Sequence, residues 1–226
     1  TQTPYPTSLV AIVSSKLGTL MTTPSCYGVN SSNNTIVGNK ILGGYYGVAM
    51  YGLDTAKRDL GNVLSKNIIA SFHKTGIYLE YADTRIKNNV ITGKFGMDLN
   101  ANAIEVKFLG DRAGDFTNEI SGNKIFDITW QGITVKNCLS KKIAPAKKAS
   151  FVIANNMIAG GFTTPGATTC GINLNTCVGI SIINNTVLMD APRTSSTSIN
   201  ATVARCLTVG STNTDIEAFN NILYSS

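Results

Sequence analysis

The chain has 226 residues and a formal charge of +6, with 43% hydrophobic and 14% charged residues. A chain this apolar can bury a large core, which excludes intrinsic disorder over its whole length, and its size suits one domain or two small ones. No apolar run is long enough for a membrane-spanning helix, and no signal segment follows Thr1. The single His and the five Cys, none in a CxxC pair, argue against a zinc site and a His-based triad. The modest, scattered basic charge argues against nucleic acid.

The predicted elements are the short strands of a repeat. One motif, an aliphatic residue, two spacers, Asn, a variable residue and another aliphatic residue, returns seven times at intervals of 22 to 36 residues. Its key residues, in chain order, are Asn39, Asn67, Asn89, Asn123, Asn156, Asn185 and Asn221. A second motif of Gly, aliphatic, variable and aliphatic residues trails it, as at Gly76 and Gly132. This alternation predicts half-buried strands between Asn and Gly turns, with no helical stripe.

Stacking of these units is required because two or three short strands cannot bury their own apolar face. It would place Asn on Asn at the strand spacing of about 4.8 Å, so that each side-chain amide donates to the next carbonyl. Asn also tolerates a left-handed turn conformation, which we expect at these positions. Residues 1–25 are expected to form a partial coil or cap. Residues 26–226 are expected to form the solenoid, as a segment of a longer protein whose ends are covered by further parts of that protein or by another chain.

The motifs resemble a known family. Ile86-Lys-Asn-Asn89-Val-Ile91, together with the strand motif Gly171-Ile-Asn-Leu174, is similar to the repeat of right-handed parallel β-helices. That repeat is shared by pectate-lyase-like enzymes, periplasmic NosD-like proteins, phage tailspikes and secreted bacterial surface proteins. The ending at 219–224 resembles repeats of large secreted Bacteroidota proteins. The resemblance implies an all-β, single-stranded right-handed parallel β-helix, a solenoid of about seven to eight coils, and a secreted or bacterial cell-surface location.

One face of the solenoid is predicted to hold the candidate glycan-binding residues. Period-2 alternation in the Gly-aliphatic strands points a polar and aromatic set outward: Tyr51, Tyr78, Glu80, Glu105, Thr134, Asn173 and Asn175. Trp130, from a column of aromatic residues after the Asn turns, joins them as a sugar-stacking candidate. The alternative is an ordinary solvated β face without a ligand.

Catalysis by β-elimination is the second interpretation of the same face. Polysaccharide lyases of this fold need a base and a cation beside the uronate carboxylate. Lys107 and Lys136 occupy equivalent slots of neighbouring coils, where each would lower the pKa of the other, and Arg112 follows in the next loop. Glu80, Glu105 and Asp111 are candidate calcium ligands. None of these residues matches a lyase signature, so none is assigned as catalytic or metal-binding. No cofactor is expected, and calcium is the alternative.

The favoured interpretation is a non-catalytic, adhesive or structural β-helix segment that binds a polysaccharide or cell-surface glycan. The alternatives are a lyase acting on an acidic polysaccharide and a phage tailspike or tail-fibre component. Cys138 and Cys177 each lie six residues after the Gly of their strand motif and should stack in adjacent coils. Both a disulfide and a reduced, buried pair fit that placement.

Overall fold

The computed structural model describes residues 8–13, 31–55, 58–93, 98, 100–110, 116–140, 151–160, 168–189 and 203–225. Within these residues the chain forms 21 strands, β1 to β21 in chain order, and no helix. The strands build three sheets of seven strands each, and every pairing is parallel. The predicted parallel β-helix is therefore confirmed.

Each turn of the chain contributes one strand to each sheet. Sheet A holds β1 Ser8–Val13, β4 Tyr46–Tyr51, β7 Thr75–Glu80, β10 Asn102–Lys107, β13 Gln131–Lys136, β16 Thr168–Asn175 and β19 Val203–Val209. Sheet B holds β2 Thr35–Val37, β5 Asp59–Ser65, β8 Ala82–Lys87, β11 Asn118–Ser121, β14 Phe151–Ala154, β17 Ile180–Ile183 and β20 Glu217–Phe219. Sheet C holds β3 Lys40–Leu42, β6 Ile68–Ala70, β9 Val90–Thr92, β12 Lys124–Phe126, β15 Met157–Ala159, β18 Thr186–Met189 and β21 Ile222–Ser225.

The core is a set of aliphatic columns that run along the solenoid. In sheet C one column runs through Ile41, Ile69, Ile91, Ile125, Ile158, Val187 and Leu223, and all of its members except Leu223 in the last strand are buried. These are the aliphatic residues two positions after the repeated Asn. Each fully buried Ile contributes about 2 kcal/mol relative to an exposed one, so a coil is stabilised mainly by the coils above and below it.

The repeated Asn residues form a hydrogen-bonded ladder that crosses the coils. The backbone N–H and Nδ2 of Asn89 both donate to Oδ1 of Asn123, at 2.9 and 3.0 Å. Asn123 donates in the same way to Asn156, at 3.0 Å from each nitrogen. Nδ2 of Asn123 also donates to the carbonyl of Ile86 at 3.0 Å. Each inner Asn therefore ties its own coil to the coil on either side.

The left-handed turn residue is the one before the ladder Asn, and our assignment of that conformation to the Asn itself was wrong. The preceding positions all have positive φ: Gly38, Lys66, Asn88, Gly122, Asn155, Asn184 and Asn220. Gly and Asn dominate them because both adopt this conformation at low cost. The ladder Asn is selected instead for its amide, which both donates and accepts. The Asn-Asn and Gly-Asn pairs of the repeat thus place a residue that tolerates positive φ directly before a residue whose side-chain amide forms the ladder.

The division at residue 25 stays a prediction. Of residues 1–25, only Ser8–Val13 lies in the described part of the chain, where its backbone pairs with β4. The other residues of that region fall outside the described ranges.

Asn123→Ala is expected to lower the free energy of unfolding by about 3 kcal/mol, because it removes four hydrogen bonds and leaves buried partners unsatisfied. Asn221→Ala, at the C-terminal end of the ladder, should cost only about 1 kcal/mol since that residue is half-exposed. Urea unfolding of both variants measures the difference. Equal losses would contradict the ladder as the main link between coils.

Candidate functional site

The candidate site lies on the side of sheet A that faces away from the core, here called the outer face of sheet A. Strand alternation separates it from the interior: Ile104 and Val106 point into the core, and Glu105 and Lys107 point outward. Parallel pairing then aligns the outward residues of successive coils in rows. The middle row runs Ala49, Tyr78, Glu105, Thr134, Asn173 and Thr208.

At its N-terminal end the face carries a tyrosine cluster. The rings of Tyr46 and Tyr51 lie 5.1 and 5.2 Å from the ring of Tyr78, centroid to centroid, over the buried Ala49. Tyr51 and Tyr78 are only 4% and 7% exposed, although they lie outside the main core, because the stacked rings cover one another. Burial raises the pKa of Tyr46 to about 12, and it raises those of Tyr51 and Tyr78 further.

The charged groups in the middle of the face neutralise one another. Oε1 of Glu105 lies 3.1 Å from Nζ of Lys136 and 3.3 Å from Nζ of Lys107. Nδ2 of Asn102 donates to the other carboxylate oxygen at 3.1 Å. The two lysines do align in neighbouring strands, as expected, but they share a carboxylate that the like-charge argument from the sequence left out.

A second set of contacts joins this group to the tyrosines. The hydroxyl of Tyr78 donates to a carboxylate oxygen of Glu80 and accepts a hydrogen bond from Nζ of Lys107 at 3.0 Å. The same ammonium lies 4.8 Å from the centroid of the Tyr78 ring. Lys107 is thus held by a carboxylate, a hydroxyl and an aromatic ring, and is not a free amine.

Towards its C-terminal end the face opens into a cleft of about 340 Å³, lined by Asn100, Trp130, Gln131, Cys170, Asn173, Arg205 and Thr208. We name it the Trp130 cleft. Nδ2 of Asn173 donates to Oε1 of Gln131 at 3.2 Å, and the hydroxyl of Thr134 donates to the same oxygen. The cleft therefore combines an indole, amide and hydroxyl groups and one exposed guanidinium.

The structure brings most of the predicted residues to one face and divides them between its two ends. Tyr51, Tyr78, Glu80 and Glu105 belong to the tyrosine and ion-pair region, whereas Trp130 and Asn173 line the Trp130 cleft. Thr134 lies between the two regions and is fully buried. Asn175 aligns with Lys136 and accepts a hydrogen bond from the hydroxyl of Thr176. Arg112 and Asp111 fall outside the described residues.

Sequence reasoning missed five of the seven residues that line the cleft, namely Asn100, Gln131, Cys170, Arg205 and Thr208. Gln131 and Arg205 lie at either side of Cys170 in one outward row, at the start of their strands. Gln131 directly precedes Gly132, so a strict period-2 count from that Gly assigns it to the inward set. In the structure its amide contacts Thr134 and Asn173 on the outer face, so the alternation does not continue through Gly132.

Metal ligands are not assembled in the described part of the chain. No group of three or more His, Cys, Asp or Glu residues is close enough there to hold a metal ion. The carboxylate of Glu80 contacts Tyr78, and that of Glu105 contacts the two lysines. Since Asp111 lies outside the described residues, the calcium assignment stays a prediction.

Cys138 and Cys177 stack in adjacent coils, as expected. The neighbouring residues Leu139 and Val178 form a parallel bridge, and both thiols are free, buried and hydrogen-bonded to backbone carbonyls. Burial raises the pKa of the Cys138 thiol. In this structure they form the reduced, buried pair of the two alternatives.

The family comparison adds to this geometry. The family described as "Periplasmic copper-binding protein (NosD)" matches residues 15–147, which is more than half of the chain. The chain belongs to the NosD family.

The family description names copper, but the described part of this NosD-family chain has no suitable set of copper ligands. Copper favours imidazole and sulfur ligands, yet the sole His of the sequence, His73, is exposed with its ring beside Tyr45. The Cys138 and Cys177 thiols are buried and hydrogen-bond to backbone carbonyls.

Similar solved structures are the periplasmic alginate epimerase AlgG and two mutants of it, each 15% identical to this chain. The matches cover 83% of this chain and 50% of AlgG, with TM-scores of 0.30, 0.29 and 0.28. The NosD-family chain thus spans about half the length of AlgG. A likeness this distant says nothing about activity.

No curated protein matches the sequence. The described residues contain no helix of the length and hydropathy that crossing a membrane requires.

Glu105→Gln is expected to lower the free energy of unfolding by roughly 1–2 kcal/mol, since it leaves two partly exposed ammonium groups without their counter-charge. Glu119→Gln is the matched control, because its ion pair with Lys87 is more exposed and should contribute about 0–1 kcal/mol. Urea unfolding measures both. A smaller loss for Glu105→Gln than for Glu119→Gln would show that the central network is not a stabilising unit.

Alkaline titration should separate the tyrosine cluster from the other tyrosines of the chain. Tyr46 is expected to ionise near pH 12, and Tyr51 and Tyr78 only when the protein unfolds. These folded pKa values exceed the unfolded value of about 10, so the stability that they represent is complete below about pH 10 and is lost as the pH rises. Tyrosinate absorbance measures the ionisation, with Tyr78→Phe as the reference. Ionisation of all eight tyrosines near pH 10 in the folded protein would contradict the buried cluster.

Proposed function

We propose that this chain is a non-catalytic, extracytoplasmic β-helix protein that binds glycan chains along the outer face of sheet A. The observation that carries the proposal is the Trp130 cleft, which places an indole beside several amide and hydroxyl groups. A sugar ring needs both, since its C–H face packs on an aromatic ring while its hydroxyls exchange hydrogen bonds with amides.

The size and course of the cleft suit a chain-like ligand. Its lining comes from four successive coils: Asn100 before β10, Trp130 and Gln131 at the start of β13, Asn173 in β16, and Thr208 in β19. Three strand spacings separate the outermost coils, which is roughly 14 Å. The exposed guanidinium of Arg205 provides a positive group at one end, where a carboxylate or sulfate of an acidic sugar would be favoured.

The ion pairs that Lys107 and Lys136 form favour binding without catalysis. A base that removes a proton beside a uronate carboxylate must have its amine free and within reach of that proton. Nζ of Lys107 and Nζ of Lys136 are instead ion-paired with Glu105. The lyase alternative would require that carboxylate to move away or to be displaced by the substrate.

The location rests on the family. The description of the matching family calls its members periplasmic, which supports a place outside the cytoplasm for this chain. The architecture supports an adhesive or structural role, because a rigid stack of parallel coils presents its binding groups in fixed rows. Such preorganisation lowers the entropy lost on binding a flexible polymer.

Trp130 is the sole tryptophan of the chain, so its fluorescence reports directly on the cleft. We expect an oligosaccharide prepared from the polymer that binds to change the emission of Trp130 and to shield it from a soluble quencher. Trp130→Phe should keep much of the affinity, whereas Trp130→Ala should lose about tenfold through the lost stacking. Met157→Ala, an exposed residue of sheet C, is the control and should bind like the wild type. Calorimetry on a panel of neutral and acidic polysaccharides provides the affinities.

The same panel also tests the proposal against its alternative. Formation of unsaturated sugar, detected by ultraviolet absorbance and abolished by Lys107→Ala or Lys136→Ala, would replace the binding function with β-elimination. Absence of binding to every polymer would overturn the glycan assignment. Equal affinities of Trp130→Ala and wild type would move the site away from the cleft.

A further inference from the structure

A pair of stacked aromatic rings lies at the corner where sheet A passes into sheet B. Tyr81 follows the last residue of β7, and Phe108 follows the last residue of β10. Their ring centroids are 4.8 Å apart and their planes differ by 12°, so the rings stack face to face across two coils, and each keeps one flat face that its partner does not cover. Both side chains are partly exposed. We name the pair the Tyr81–Phe108 ledge.

The backbone at these two positions is unfavourable for large side chains. Tyr81 has φ 51° and Phe108 has φ 53°, in the left-handed region that bulky residues rarely occupy. Most of the other non-glycine residues found there in the described chain are Asn or Asp. Strained positions of this kind are often retained for function.

The fold itself does not require aromatic residues at this corner. The backbone N–H of Tyr81 donates to the carbonyl of Lys107 at 3.2 Å, and that of Phe108 donates to Lys136 at 3.0 Å. Gly52 and Asn137 occupy the same corner in neighbouring coils and make the equivalent bonds at 2.8 and 2.9 Å. A Gly or Asn therefore serves the backbone equally well, and the two rings need another explanation.

We infer that the Tyr81–Phe108 ledge is a second sugar-stacking subsite, which takes a distal unit of the same glycan that enters the Trp130 cleft. The inference rests on the proposed function. The ledge directly follows Glu80 and Lys107, so charged and hydrogen-bonding groups lie beside the stacked rings. It lies along the edge of sheet A where the strands end, whereas Trp130 lies along the opposite edge, where the strands begin. An extended chain that crosses the outer face would contact both.

The inference predicts that affinity depends on the length of the ligand. A short oligosaccharide that fills only the Trp130 cleft should bind Tyr81→Asn and Phe108→Asn as it binds the wild type. A longer oligosaccharide of the same polymer should bind each variant about tenfold more weakly, because one stacking contact is lost. Tyr81→Phe should retain the affinity, since the ring and not the hydroxyl makes the contact.

Asn suits the left-handed conformation, so these variants should remain folded. The relief of backbone strain offsets the lost ring contact, and we expect the melting temperature to stay within about 3 °C of the wild type. Thr176→Asn is the matched control, because Thr176 has the same conformation and directly follows the end of β16, at the same corner in a later coil. It should change neither stability nor affinity.

Calorimetry with the short and long oligosaccharides on each variant decides between the outcomes. Equal affinity of the long oligosaccharide for wild type, Tyr81→Asn and Phe108→Asn would overturn the ledge, while the Trp130 cleft would stand if Trp130→Ala still weakened binding. Equal weakening of the short and long ligands would also overturn it. Failure of the wild type to bind any glycan would overturn both the ledge and the proposed function.

Discussion

In-register stacking of parallel coils is the constraint on which the rest of this structure depends. The strands are three to eight residues long and have no stability of their own, so every coil must offer its neighbours matching hydrogen-bonding groups and apolar side chains. The Asn ladder enforces that match at the turn between sheets B and C, where Oδ1 of each inner Asn accepts from the coil before it. A shift of register would break the ladder and misalign the aliphatic columns together.

The same stacking gives the outer face of sheet A its properties. Residues at one strand position in successive coils become immediate neighbours, at about 4.8 Å. Lys107 and Lys136 thereby meet around Glu105. Tyr46 aligns with Thr75, and its ring stacks on that of Tyr78 in the same neighbouring strand. Groups far apart in sequence therefore bury and neutralise one another on a surface that alternation alone would leave exposed. The Trp130 cleft lies where this packing gives way to smaller amide and hydroxyl side chains.

The fold could be predicted from the sequence because its determinants are local and repeated. The Asn and Gly motifs recur in nearly every coil, so each occurrence supports the others.

The site could be predicted only in part. The alternation rule placed Tyr78, Glu105 and Lys107 on one face, but it carries no information about how long side chains turn. It could not show that the Glu105 carboxylate would pair with both lysines. Backbone conformation was also beyond the reach of the pattern, since the spacing marks a turn near each repeated Asn but does not reveal which residue of the turn is left-handed. The same difficulty concealed Tyr81 and Phe108, which no motif singles out.

The spacing between ladder residues, which ranges from 22 to 36, has a consequence for how such a protein can change. A coil can lengthen through the connections between its strands while its neighbours keep their register. The shortest interval, from Asn67 to Asn89, shows how little chain one complete turn needs. Gain or loss of a whole turn would alter the length of the outer face in steps of about 4.8 Å. The number of copies of the sequence unit would then determine how long a stretch of polymer the outer face can contact.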